Sequence, residues 1–86
     1  MDHAKVIYVV TERGEAVIGR LTGELERGVT FMDARGGFTR RDKQVLMVVV
    51  RRNLFSQAMG IIKETDPDAF LFVVNASEVH GEGFKQ

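Results

Sequence analysis

"KQVLMVVVRRNLFSQAMGIIKETDPDAFLFVVNA", Lys43–Ala76, is the stretch that decides the fold. Its opening run, Lys43–Arg51, is dominated by valine and reads as a strand, because β-branched side chains fit a pleated surface better than a helix. The next segment changes period. Leu54, Ala58 and Ile61 recur at helical spacing beside Phe55, Met59 and Ile62, with Asn53 placed to cap the helix. "DPD", Asp66–Asp68, ends that helix, since Pro67 disfavours helical geometry at the residue before it. "AFLFVVNA", Ala69–Ala76, then returns as a strand, which completes a β-α-β unit.

Towards the amino terminus the same rhythm appears a second time. "AKVIYVVT", Ala4–Thr11, is a strand by composition. "ERGEAVIGRLTGELERG" follows, with Ile18, Leu21 and Leu25 at helical spacing, Val17 beside them and Gly28 placed to end the helix. Gly19 and Gly23 each weaken this helix by about 1 kcal/mol relative to alanine, so tertiary packing must hold it. "VTFMDA", Val29–Ala34, is a further strand, and "RGGFTRRD" is turn chemistry before Lys43. The order β-α-β-β-α-β is the split βαβ, or ferredoxin-like, α+β arrangement. Right-handed crossovers then predict a four-stranded antiparallel sheet, ordered 4-1-3-2, with both helices on one face. Residues 1–86 read as one ferredoxin-like domain without a linker.

Composition narrows the function classes. With 44% apolar and 28% charged residues the chain is too apolar for disorder. Twelve basic residues balance twelve acidic ones, so no global field recruits nucleic acid or anionic lipid. The absence of cysteine excludes disulfides and thiolate metal sites, and is compatible with a reducing compartment. No apolar run approaches the roughly 20 residues that span a bilayer, and no signal peptide is visible. As given, the chain is expected to be soluble, whether it stands alone or is a piece of something larger.

The strands carry a second message. "VIYVV", "VLMVVV" and "AFLFVV" are apolar on both sides, whereas a sheet covered on one face should alternate. Two helices cover one face only, which leaves an apolar patch on the other. Either the exposed face tolerates valine, or a partner domain or a second copy covers it.

Fold alone does not give function, so each chemistry hosted on this architecture needs its own residues in this chain. RNA-recognition modules stack bases on aromatics of the central strands, yet "QVLMVVV" has none and Tyr8 stands alone on the first strand. His3 and His80 are candidate neighbours at one end of the sheet, but no third metal ligand accompanies them. Ser56 and Ser77 have no convincing pairing with His80, and "DPD" is most simply a turn. No enzyme, no cofactor, no metal and no nucleic acid is expected. Arg35, Arg40, Arg41 and Lys43 fall at one end of the third strand and Arg51 and Arg52 at the other, roughly 30 Å away at 3.3 Å per residue. One subunit therefore presents no single basic patch. "RGGFT" can offer backbone N–H groups to a phosphate or carboxylate, or Gly36 and Gly37 can simply supply the positive φ that a hairpin needs. Phe38 is harder to explain, since a hairpin tip seldom needs an exposed aromatic.

These motifs together carry a resemblance. "ERGVTFMDARGGFT", a strand closing in "VVVRR", and "IKETDPDAFLFVVNASEVHGEGF" resemble the small C-terminal domain of YitT-type bacterial membrane proteins, a domain of unknown function. The match spans Arg27–Phe84, and the first strand and helix agree only in character. The resemblance implies a cytoplasmic position after a transmembrane domain. The topology is also similar to that of PII-type signalling proteins, trimers that bind nucleotides between subunits, although "ARGGFTRRD" is far shorter than the PII effector loop.

The expectation is a regulatory, ligand-sensing homo-oligomer, dimer or trimer, on the cytoplasmic face of a membrane protein. Its ligand, a small anion or a nucleotide, would lie between subunits. Gly36, Gly37, Phe38 and Thr39 of the hairpin and Gly81, Glu82, Gly83 and Phe84 of the tail would frame it, with Arg40, Arg41, Arg51 and Arg52 supplying charge. The alternative is a purely structural assembly module that binds nothing small. A third reading, amino-acid sensing, rests on the glycine-containing turn "TERGEAV" after the first strand.

Overall fold

The computed structural model describes residues 4–81. Its elements run β1 (Ala4–Thr11), α1 (Gly14–Leu25), β2 (Val29–Arg35), β3 (Asp42–Arg51), α2 (Arg52–Thr65) and β4 (Phe70–Ala76). The strands form one antiparallel sheet in the order β2-β3-β1-β4, the topology expected from the element pattern. β1 and β2 both flank β3, and β3 and β4 both flank β1, so each β-α-β crossover skips one strand.

Burial separates the two faces of the sheet. Ile7, Val9 and Thr11 of β1 and Leu46, Val48 and Val50 of β3 are almost wholly hidden, with Ile7 opposite Val48 and Val9 opposite Leu46. They pack with Val17, Leu21 and Leu25 of α1 and with Ala58, Ile61 and Ile62 of α2 in one core. α1 presents its i, i+4 stripe to the sheet, and α2 does the same with a broader one. Arg20 ties the outer sides of the helices together, bonding Glu24 within α1 at 2.7 Å and Glu64 on α2 at 2.8 Å. The start of α1 comes close to β3. A Cβ added at Gly14 would meet Cβ and Cδ of Gln44 at 3.0 Å, so only glycine fits without repacking.

Three local expectations are corrected. α1 stops at Leu25 because Glu26, not Gly28, takes the left-handed cap position, with φ 55. α2 begins two residues early, with Arg51 in the cap position and no side-chain cap, so Asn53 lies inside its first turn. In the β2–β3 hairpin the left-handed residue is Arg40, with φ 64, and neither Gly36 nor Gly37 has positive φ. Gly36 is needed for space instead, since an added Cβ would stand 2.7 Å from Thr39 Oγ1. The expected stop after α2 is as read. Asp66 is extended at φ −140, and its carboxylate accepts from Asp68 N at 3.0 Å, which closes the turn around Pro67.

Candidate functional site

Three features of the surface qualify, and the register of the sheet relates them. The first is the face away from the helices. Val6, Tyr8 and Val10 of β1 alternate with the core residues, and Val49, Met47 and Val45 of β3 lie opposite them. Val74, Phe72 and Phe70 of β4 extend these rows on one side, and Thr30 and Met32 of β2 on the other. Tyr8 stacks on Phe72 with ring centroids 4.9 Å apart, and Phe70 leans on Phe72 at 6.2 Å. Phe70 is 65% exposed and Met32 58%. Four strands by about seven residues span roughly 19 by 23 Å, or roughly 440 Å² in plan, within the size range of the largest apolar patches on monomers, which are often functional.

The second feature lies at the hairpin end. Thr11 ends β1, and its hydroxyl donates to Asp66 at the end of α2 while accepting from Arg13 N at 2.8 Å. Thr11 and Asp66 are both buried, so this pair forms a fixed floor. Above it a depression of about 250 Å³ is lined by Glu12, Arg13, Arg41, Lys43 and Asp68. Arg41 donates to Glu12 Oε2 from Nη2 at 2.8 Å and from Nε at 3.0 Å, and Lys43 Nζ donates to the same oxygen at 3.4 Å. The Arg41 hydrogen bonds hold the Glu12 carboxyl below its ordinary range. At the tip of the hairpin Phe38 is 99% exposed. The loop is closed by Gly36 N donating to Arg41 O at 2.9 Å and Arg40 N donating to Gly36 O at 3.0 Å, and Thr39 Oγ1 accepts from Arg41 N at 3.2 Å.

The third feature is the opposite end. Ala4, Arg51 and Ala76 are neighbours across three strands, and with Ser77, Glu78, Val79 and His80 they line a depression of about 230 Å³. Arg52 is exposed in the first turn of α2, and Gly81 continues the chain with φ 128. Glu82, Gly83 and Phe84 lie outside the described residues, as does His3.

The sequence-predicted residues therefore fall into two groups at opposite ends of the sheet, as the strand length required. Gly36, Gly37, Phe38, Thr39, Arg40 and Arg41 share one end, and Arg51, Arg52 and Gly81 the other. The residue that sequence reasoning missed is Glu12, which neutralises the cations expected to meet a ligand. Its signal was its place directly after β1, since antiparallel pairing of Thr11 with Gln44 brings it beside Lys43. Among the described residues no group of three or more His, Asp or Glu is placed to hold a metal. No helix among them is long and apolar enough to cross a membrane.

The profile of a bacterial family described as "Uncharacterized protein conserved in bacteria (DUF2179)" matches residues 27–81. The chain belongs to the DUF2179 family. Among curated relatives, the UPF0750 membrane protein YvjA of Bacillus subtilis is 39% identical over 85 residues, covering 99% of this chain and 30% of YvjA. The UPF0750 membrane protein YitT of the same organism is 30% identical over 73 residues, covering 85% of this chain and 26% of YitT, which bears out the YitT-type resemblance. A solved DUF2179 structure from Eubacterium ventriosum superposes with a TM-score of 0.67 at 31% identity, covering 83% of this chain and 97% of that one. Arabidopsis thaliana PII bound to citrate gives a TM-score of 0.67 at 26% identity, covering 85% and 76% respectively. The DUF2179 fold is thus ferredoxin-like and PII-like. The chain spans between 26% and 57% of the length of these and another curated relative.

Proposed function

We propose that this DUF2179 chain is a non-enzymatic regulatory domain, on the cytoplasmic side of a membrane protein, that self-associates through the open face of its sheet and senses a small anion at the sheet ends. The observation that carries the reading is the continuous apolar face. Two such faces in contact would cover on the order of 900 Å² in plan, before side-chain relief is counted, which approaches the size of stable interfaces. Packed with strands running in opposite directions, two faces bring the Arg41 end of one sheet against the Arg51 end of its neighbour. That juxtaposition would supply the second group of cations that one subunit lacks.

Sizing by sedimentation tests the assembly. A dimer or trimer is expected for the natural chain, and Met47→Glu, at the centre of the open face, is expected to dissociate it. A stable monomer at several hundred micromolar would overturn the reading. A purely structural assembly module is the second reading, and it draws on the Glu12 carboxylate that already occupies Arg41 and Lys43. Thermal-shift screening of the intact oligomer separates the two. Stabilisation by an anion or nucleotide supports sensing, and none supports assembly alone.

A further inference from the structure

Glu12 is in an unusual position for a surface ion pair. It sits in the two-residue turn between β1 and α1, and its side chain reaches across to Arg41, just before β3, and Lys43 within it. Three cationic donors converge on one of its oxygens, Oε2, while no hydrogen bond to Oε1 is formed among the described residues. An Arg guanidinium is shaped to offer parallel N–H groups to two separate oxygens. Here both Arg41 groups bend onto a single atom, which leaves that two-oxygen mode unused. Around them the floor does not yield, because Thr11 and Asp66 are buried and bonded to each other. Arg13 stands on the same wall, and its guanidinium donates from Nη1 to the Thr65 carbonyl at 3.4 Å.

We infer that the Glu12 carboxylate is a tethered stand-in for a multivalent oxyanion, which binds the Arg41–Lys43 pair over the Thr11–Asp66 floor when Glu12 swings out. The inference rests on the anion-sensing half of the proposed function and gives it a place and a gate. The tether decides the ligand class. A carboxylate on a short flexible arm acts at a high effective concentration, so a free monocarboxylate offering the same single contact cannot displace it. A phosphate dianion or a polycarboxylate brings separate oxygens for Arg41 and Lys43 and more than one charge. The depression, about 250 Å³, has room for either; Arg13, Arg41 and Lys43 line it against the carboxylates of Glu12, Asp66 and Asp68, so a bound anion meets a net positive lining only once Glu12 has left. Glu12 is 38% exposed and carried on a turn, so its departure disturbs neither the core nor the sheet.

The test is titration of the natural chain, Glu12→Gln and Arg41→Gln with inorganic phosphate, citrate and acetate, read by amide chemical shifts of Glu12, Arg13 and Lys43. The natural chain should bind phosphate or citrate at millimolar levels and acetate not at all. Glu12→Gln should tighten binding about tenfold, because it removes both the competitor and a like charge beside the ligand. Arg41→Gln should abolish it. Phosphate against citrate shows whether a phosphoryl group or a polycarboxylate is preferred. Equal or weaker binding by Glu12→Gln, or unchanged binding by Arg41→Gln, would overturn the inference. Sizing the same samples keeps the two readings apart, since a monomeric protein that shows the Glu12→Gln gain loses only the assembly half.

Discussion

Removing the carboxylate of Asp66 should destabilise the domain more than any exposed substitution near the hairpin. Asp66 is 6% exposed and Thr11 2%. The Asp66 side chain accepts from the Thr11 hydroxyl on one oxygen and from Asp68 N on the other. Asp66→Ala leaves the Thr11 hydroxyl without its acceptor in a buried setting, at a cost of about 1–3 kcal/mol, and opens the turn around Pro67 for about 1 kcal/mol more. The sum, about 2–4 kcal/mol, is large against a total stability of about 5–15 kcal/mol. For a domain of this size each kcal/mol lowers Tm by about 4–8 °C, so calorimetry or far-ultraviolet dichroism should show a fall of at least about 8 °C. Thr11→Val keeps the shape and removes the donor, and should cost about 1–3 kcal/mol by itself. Because both variants break one bond, the double variant should be less destabilised than their sum by about 1–2 kcal/mol. A Tm shift below about 4 °C for Asp66→Ala, or strict additivity in the cycle, would refute the claim that this pair locks the end of α2 to β1.

Two further outcomes follow from local features. Gly19 and Gly23 lie on the exposed side of α1 with nothing within 4 Å of an added Cβ. Gly19→Ala with Gly23→Ala should therefore stabilise by about 1–2 kcal/mol in a denaturant melt, and an unchanged midpoint would count against it. The Glu12 carboxyl is held low by Arg41, so its folded pKa lies below the unfolded value of about 4.3. The bridge then stabilises fully above that value and is lost as pH falls through the lower, folded pKa. Carboxyl chemical shifts followed against pH should show Glu12 titrating below the ordinary glutamate range, and Arg41→Gln should raise it.

How much of this was legible in the residues depends on the range over which each signal acts. The valine run of β3, the two amphipathic stripes and Pro67 are local, and they placed all six elements. Boundaries held by backbone conformation were not legible. Glu26 and Arg40 adopt left-handed geometry where glycines stood nearby to attract the assignment, and composition carries no record of which residue turns. The apolar open face was readable from strands that fail to alternate. Its Tyr8–Phe72 stack was not, because it needs the register of β1 against β4, residues far apart in sequence. The same holds for Glu12, which is 29 residues from Arg41. The separation of the two arginine groups, by contrast, required only a strand length.

The pairing of Ala4 with both Ala76 and Arg51 has a mechanical consequence. β1 starts where β4 finishes, so tension applied between those points pulls two neighbouring antiparallel strands apart from the same end. Their hydrogen bonds would then open in succession, from Ala4–Ala76 towards Val10–Phe70, rather than all at once along the strand axis. Loaded in this way the sheet peels from its β4 edge at low force. The Thr11–Asp66 bond stands just beyond the last of these pairs, as a latch at the far end of the seam.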